Sequence, residues 1–423
     1  MTVNNSIRGC LLVPSEEQHT WTLVEDGVIE FDKDGKITSV SPAGEDCEVR
    51  VTRPGSIWLP GFVDTHIHFP QTRIRGSASG ELLPWLQTSV FPEESKFVEA
   101  AYATEVARVF CNSMLSHGTT CASIFSSSDP GATNILFETM HEIGLRGDVG
   151  LTLMNRGAPD VLLHDTAEAM DACEQLVEEW HGVDRDRLRF CVTPRFALSC
   201  TPDLLRAAGD FASKHDLTIQ THISENHDEI TATLEMFPGS EDYLRVYEDA
   251  GLLTQKSLFA HGVWLTDREW DDIADKKSSV SHCPDSNFFL GSGAMPLSKA
   301  MEREIKTGLG TDIGAGRSFS LRKCCSRGYD ASRMSGSKTD AGELLWLATR
   351  GGALAMSRGD QIGLLASGYD ADLVNIELED GIPSTVELIC EKLVFGEDWS
   401  GVREVRIRGA VVWSSEDEGV RAV

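Results

Sequence analysis

Eight apolar runs of strand length recur through the middle of this 423-residue chain, at 57–65, 119–125, 146–154, 188–194, 218–221, 257–260, 278–281 and 306–310, separated by helical patterns or loops. Strands that alternate with helices cannot pair as hairpins; they favour a parallel sheet covered by its own connections. Eight such units over about 250 residues match a closed (β/α)8 TIM barrel, whose C-terminal strand ends face one cavity. The helix after the first run is the clearest, with Val106, Val109, Phe110 and Met114 on one face and Gly118 just past its end.

The two ends of the chain read differently. Gly27–Phe31, Asp32-Lys33-Asp34-Gly35 and Lys36–Val40 spell a hairpin, and 370–376 and 402–408 carry strand-like apolar spacing. The expected architecture is therefore α/β: a distorted TIM barrel over 60–362 and a small β-sandwich domain built from 1–59 and 363–423. A stretch at 69–96 is too long for an ordinary βα loop of about 2 to 6 residues, which marks it as a functional insert covering the cavity. Its Trp85 and Phe91 are placed to exclude water.

The strand ends carry the chemistry. The first run closes in His66 and His68, two residues apart and so on one side of an extended strand, able to grip one metal ion together. The fourth closes in Thr193-Pro194-Arg195-Phe196 and the fifth in Thr221-His222-Ile223-Ser224-Glu225. The sixth ends in His261, the seventh in Ser281-His282-Cys283-Pro284 and the eighth in Gly310-Thr311-Asp312. A lone histidine is ordinarily a core or surface residue, and His19, His117, His141, His164, His181 and His215 read that way. His66, His68, His222, His261 and Asp312 differ because each closes an apolar strand, which points to a metal site.

Composition excludes several other roles. Sixty-six acidic against 38 basic residues give a net charge of -28, a field that repels a phosphate backbone, so no nucleic-acid partner is expected. Eleven scattered cysteines without a Cys-x-x-Cys pair argue against a disulfide framework or a thiolate zinc knot. No apolar run approaches the ~20 residues of a membrane span, and Met1–Asn5 does not open a signal peptide, so the default compartment is the cytoplasm.

Pro60-Gly61-Phe62-Val63-Asp64-Thr65-His66-Ile67-His68, the His222-x-x-Glu225 pair, His261, Ser281-His282-Cys283-Pro284 and Gly310-Thr311-Asp312 together resemble the amidohydrolase superfamily, metal-dependent hydrolases and deaminases on this barrel. The resemblance spans essentially the whole chain. One subtype bridges two metals with a carbamylated lysine on the fourth strand, but no lysine lies between Lys96 and Lys214. One metal held by His66, His68, His222 and Asp312 is the consistent reading: Zn2+, one per subunit, although such nitrogen and oxygen ligands suit Fe2+ too.

His66-x-His68-x-x-Gln71, the insert with Leu83-Pro84-Trp85-Leu86 and Phe91-Pro92, Arg195-Phe196, and Gly310 to Gly316 are similar to the guanine deaminases within that superfamily. This similarity implies hydrolysis of a purine base, guanine to xanthine and ammonia, by hydroxide generated at the metal, in a homodimer. It implies that Gln71, Arg195, Phe196 and Glu225 hold the purine, with Trp85, Leu86, His222 and Asp312 also lining its pocket. Arg195 offers a fork of donors to the purine carbonyl, and Gln71 both a donor and an acceptor. Catalysis falls to Asp312, which takes the proton of the water, to Glu225, which protonates the ring and the departing ammonia, and to His261, which orients the nucleophile.

The competing readings are a related aminohydrolase acting on 8-oxoguanine, a pterin, isocytosine or a triazine, and a non-catalytic scaffold that keeps the barrel. One segment departs from the family pattern. Residues 317–340, rich in Ser, Arg and Gly around Cys324-Cys325, make a poorer helix than that position leads one to expect.

Overall fold

A computed structural model describes residues 6–17, 19–77, 80–378, 381–396 and 401–416. The reading of Met1–Asn5, and the remaining parts of the ranges 1–59, 69–96 and 363–423, lie outside the described residues. Eight parallel strands follow in order: Phe62–His68, Thr119–Phe125, Arg146–Gly150, Leu188–Phe190, Ile219–Ile223, Ser257–His261, Ser279–His282 and Lys306–Leu309. The last pairs with the first at Leu309 and Asp64. A parallel bridge from Val192 to Ile219 spans the gap between the fourth and fifth. The barrel is distorted there, because Thr193–Pro194 turns aside to pair with Thr152–Leu153.

The first apolar run, read as one barrel strand at 57–65, is two strands. Ser56–Pro60 belongs to a seven-stranded sheet with Ser6–Pro14, Trp21–Phe31, Ile37–Pro42, Leu373–Glu377, Val402–Ile407 and Ala410–Ser414, so both chain ends meet in one sheet. Only Phe62–His68 enters the barrel. Gly61 makes the handover: a Cβ there would lie 2.1 Å from the Thr120 hydroxyl, and its N–H donates to the Asp372 carbonyl at 2.9 Å. The apolar pattern runs across that break because side chains on both halves are buried, but Pro60-Gly61 marks in the sequence where the barrel strand begins.

Two helices differ from expectation. In Ala100–Ser116, Val106, Phe110 and Met114 are buried as expected, but Val109 is 45% exposed, one residue off the apolar stripe. Residues 321–334, expected to be poorly helical, form the regular helix Leu321–Met334, capped by the Ser320 side chain accepting from the Lys323 N–H. Beside the buried Leu321 and Arg322 its inner face carries small residues, Cys324, Cys325, Gly328 and Ala331, which allow close approach: the Cys324 thiol reaches the Gly310 carbonyl at 3.3 Å.

Arg146 pins the barrel to the returning segment. Its guanidinium is wholly buried and donates to Asp372 at 2.7 Å and to Asp370 at 2.6 Å. Removing one partner of such a group leaves uncompensated buried charge, so Arg146→Ala is expected to lower unfolding stability by about 3–5 kcal/mol. Urea denaturation checks this, and a loss below about 1 kcal/mol contradicts the pinning role. Among the described residues no helix is long and apolar enough to cross a membrane.

Candidate metal centre and pocket

The C-terminal strand ends converge as the barrel requires. His66 and His68 project from one side of Phe62–His68 and place their Nε2 atoms 3.2 Å apart. His222 Nε2 lies 3.2 Å from that of His68, and Asp312 Oδ1 lies 3.3 Å from both His66 and His68. Two donors each ~2.1 Å from a shared ion at a tetrahedral angle stand about 3.4 Å apart, so these separations suit one small divalent cation. The donor chemistry agrees. His222 donates its Nδ1–H to the Arg195 carbonyl at 2.6 Å, which leaves Nε2 as a bare lone pair aimed at the cluster.

Protonation states fit the same conclusion. Burial, helped by neighbouring histidines, pushes His66 down to about 3 and holds His68 and His222 below their ordinary range, so the imidazoles are neutral. Burial alone would raise Asp312, but His66, His68 and His261 outweigh it and keep the carboxylate ionised. Neutral imidazoles and an anionic carboxylate are the forms a metal needs. His261 is the exception: burial opposes its charge, yet Glu225 and Asp312 raise it. Its Nε2 stands 3.6 Å from Glu225 and 3.9 Å from Asp312, and its Nδ1–H donates to Asn287 Oδ1 at 2.9 Å. A geometric grouping of His66, His222 and His261 is also close enough to share an ion, so the distances leave His261 near the centre rather than remote from it.

Of the two placements open to Glu225, one helical turn or one wide turn beyond His222, the chain takes the wide turn. Ser224, in the left-handed region at φ 47°, turns the chain between the strand and the helix His227–Met236. His261 at φ 77° and Asp312 at φ 48° are left-handed too, each at a strand end. Such backbones cost about 1–3 kcal/mol for residues other than glycine, and here they turn the chain at the ends of the fifth, sixth and eighth strands. Glu225 Oε1 accepts from the Ser292 hydroxyl at 3.0 Å. Burial, reinforced by Asp312 and Glu229 and opposed by His261, lifts its carboxyl to about 7.

A pocket opens beside the cluster. Gln71, Trp85, Leu86, Arg195, Phe196 and Glu225 all line it, together with His68, His222, His261 and Asp312. Of the metal-ligating, catalytic and purine-holding residues expected from the sequence, His66 alone is absent from this lining, and Phe91, expected to exclude water, packs behind it. The insert is not a loose loop: Leu82–Trp85, Leu86–Val90, Phe91–Glu94 and Ser95–Val98 are short helical turns. Leu82, Trp85, Leu86 and Phe91 pack with Met154, Phe196 and Leu290 into a separate apolar cluster that roofs the cavity. Trp85 donates its indole N–H to the Ser77 carbonyl at 2.8 Å, which satisfies its polar atom away from the cavity.

Several contacts escaped the sequence reading. Glu94, Ser292 and Asn287 touch Arg195, Glu225 and His261 respectively. Asp64 accepts from the Thr311 N–H at 3.0 Å and the His66 N–H at 3.2 Å, tying the first strand to the eighth. Asp64 was findable, as a carboxylate inside an apolar strand; nothing in one dimension links 94 to 195.

A parallel barrel with three imidazoles and a carboxylate at its strand ends defines a metal-dependent hydrolase, and the Amidohydrolase family profile matches residues 57–412. The chain belongs to the amidohydrolase family, and its relatives there include guanine deaminases. The guanine deaminase of Escherichia coli (strain K12) is 36% identical over 372 residues, covering 86% of this chain and 84% of the relative. The solved guanine deaminase from Bradyrhizobium japonicum superposes with a TM-score of 0.91 at 31% identity, over 97% of this chain and 99% of that one. The guanine deaminase from C. acetobutylicum, solved with guanine bound in its active site, gives 0.90 at 28% identity, over 97% and 100%.

Proposed function

We propose that this chain hydrolyses guanine to xanthine and ammonia. The observation that carries the reading is one cavity in which the ligand cluster, Glu225 and the polar pair of Arg195 and Gln71 meet. The guanine bound in the C. acetobutylicum relative supports the substrate.

In this reading His66, His68, His222 and Asp312 would hold one divalent ion per subunit, Zn2+ or Fe2+ by its donor set, which when bound would acidify water toward neutrality. Arg195 meets the ring carbonyl, Gln71 the adjoining amide edge, and Phe196 with Trp85 and Leu86 covers the ring faces and excludes water. Asp312 accepts the proton released as the water oxygen bonds to C2. Glu225, protonated, donates to the ring nitrogen beside C2 and then helps carry a proton to the amino nitrogen as the C2–N bond breaks. His261, between Glu225 and Asp312, steadies the negative charge that builds there. The domain limits are 1–59 with 363–423 and 60–362, supported by the change of sheet at Gly61. The same reading makes the protein a homodimer in purine breakdown, on the strength of the family resemblance, with the cytoplasm as its compartment.

The test is direct: metal-loaded protein is incubated with guanine, and xanthine and ammonia are measured together. Equal amounts of the two are expected; absence of both sinks the reading.

The pH profile has a definite sign. Glu225 is needed as an acid and is raised to about 7, so its active form is present below that pH and is lost above it. On the alkaline side kcat/KM for guanine is expected to decline as Glu225 ionises. A rate that keeps rising there would remove Glu225 as the proton donor.

A further inference from the structure

Glu94 ends the helix Phe91–Glu94 in the insert, and its side chain is only 5% exposed. Its two oxygens are divided between the polar groups of the pocket. Oε2 accepts from Arg195 Nη1 at 2.7 Å, and Oε1 accepts from Gln71 Nε2 at 3.2 Å. Gly314 donates its N–H to Gln71 Oε1 at 3.2 Å, so the Gln71 amide is held at both ends. A flip would set its oxygen against the carboxylate and its NH2 against an N–H donor. Held this way, Gln71 keeps one N–H and one oxygen lone pair for a ligand.

The charge consequence is larger. Arg195 is 4% exposed and, without Glu94, would face the cavity as an uncompensated cation that attracts anions. Paired, the two contribute no net charge while the guanidinium keeps its remaining donors. We infer that Glu94 is a specificity-determining positioning residue: it fixes the Gln71 amide and neutralises Arg195, so that the pocket prefers a neutral ring with an amide edge over an anionic one. This rests on guanine as substrate. Xanthine, with a second ring carbonyl in place of the amine, ionises more readily than guanine, so the same pair also works against retention of the product.

The experiment compares metal-loaded E94Q and E94D with the wild type in guanine kinetics, with xanthine as product inhibitor at acidic and at alkaline pH. E94Q is expected to raise KM for guanine about tenfold, with kcat moved less than about threefold, and to tighten xanthine inhibition about tenfold, chiefly at alkaline pH where xanthine is anionic. E94D keeps the charge and should leave xanthine inhibition as in the wild type. Xanthine inhibition unmoved in E94Q, or moved equally by E94D, overturns the assignment. Should E94Q not fold, E94D carries the test: a KM raised several-fold at constant kcat supports the positioning role, and an unchanged KM overturns it. Wild-type turnover of guanine is the control. Its absence sinks both the substrate and this assignment, whereas wild-type turnover with an unmoved variant sinks only the role of Glu94.

Discussion

Glu225→Gln is expected to keep one equivalent of metal and to lower kcat for guanine by about 10³-fold, the scale of a lost positioned proton donor and acceptor. The amide has almost the same shape and still accepts from the Ser292 hydroxyl that touches Oε1 at 3.0 Å. It cannot pass a proton. Because Glu225 is buried and stands 3.6 Å from His261 rather than among the expected ligands, the substitution leaves the ligand atoms in place. Metal analysis alongside steady-state kinetics separates the outcomes: unchanged activity removes Glu225 from the chemistry, and lost metal would instead make it part of the cluster.

Removal of the metal is expected to cost more, about 10⁴-fold in rate, since the Lewis acid stabilises several kcal/mol of developing charge. The cluster has nothing to replace it, because the imidazoles are held neutral and His222 already uses its Nδ1–H on the Arg195 carbonyl. Activity should return in proportion to added Zn2+ and level off at one equivalent per subunit. The metal-free protein should also melt lower, as a ligand that binds the folded state alone stabilises it. A plateau at two equivalents contradicts a single-metal site, and full activity without metal contradicts the mechanism altogether.

The sequence made the barrel legible through the spacing of its buried strands, and the centre through the polar residues that end them. His66, His68, His222, His261 and Asp312 are brought within reach of one another because each lies at, or just after, the C-terminal end of a strand of the same parallel sheet. The pocket residues Arg195, Phe196, Gln71, Trp85 and Leu86 came from family likeness, which carries three-dimensional information that periodicity does not. What stayed hidden depends on packing. Pro60-Gly61 marked in the sequence where the barrel strand begins, but the close approach of Thr120 that requires glycine there is a matter of packing, and Leu321–Met334 buries several small residues that hydrophobicity undervalues. The pairing of Glu94 with Arg195 joins residues 101 apart through the folded insert.

The central claim, a guanine-specific hydrolytic site, is tested most directly by ammonia release from guanine beside 8-oxoguanine, pterin and isocytosine, and by chloride release from a chlorotriazine, each with the metal-loaded protein. Guanine is predicted to show the highest kcat/KM, with xanthine formed in equal amount to ammonia. Turnover confined to the pterin, or none with any of the five, would contradict it.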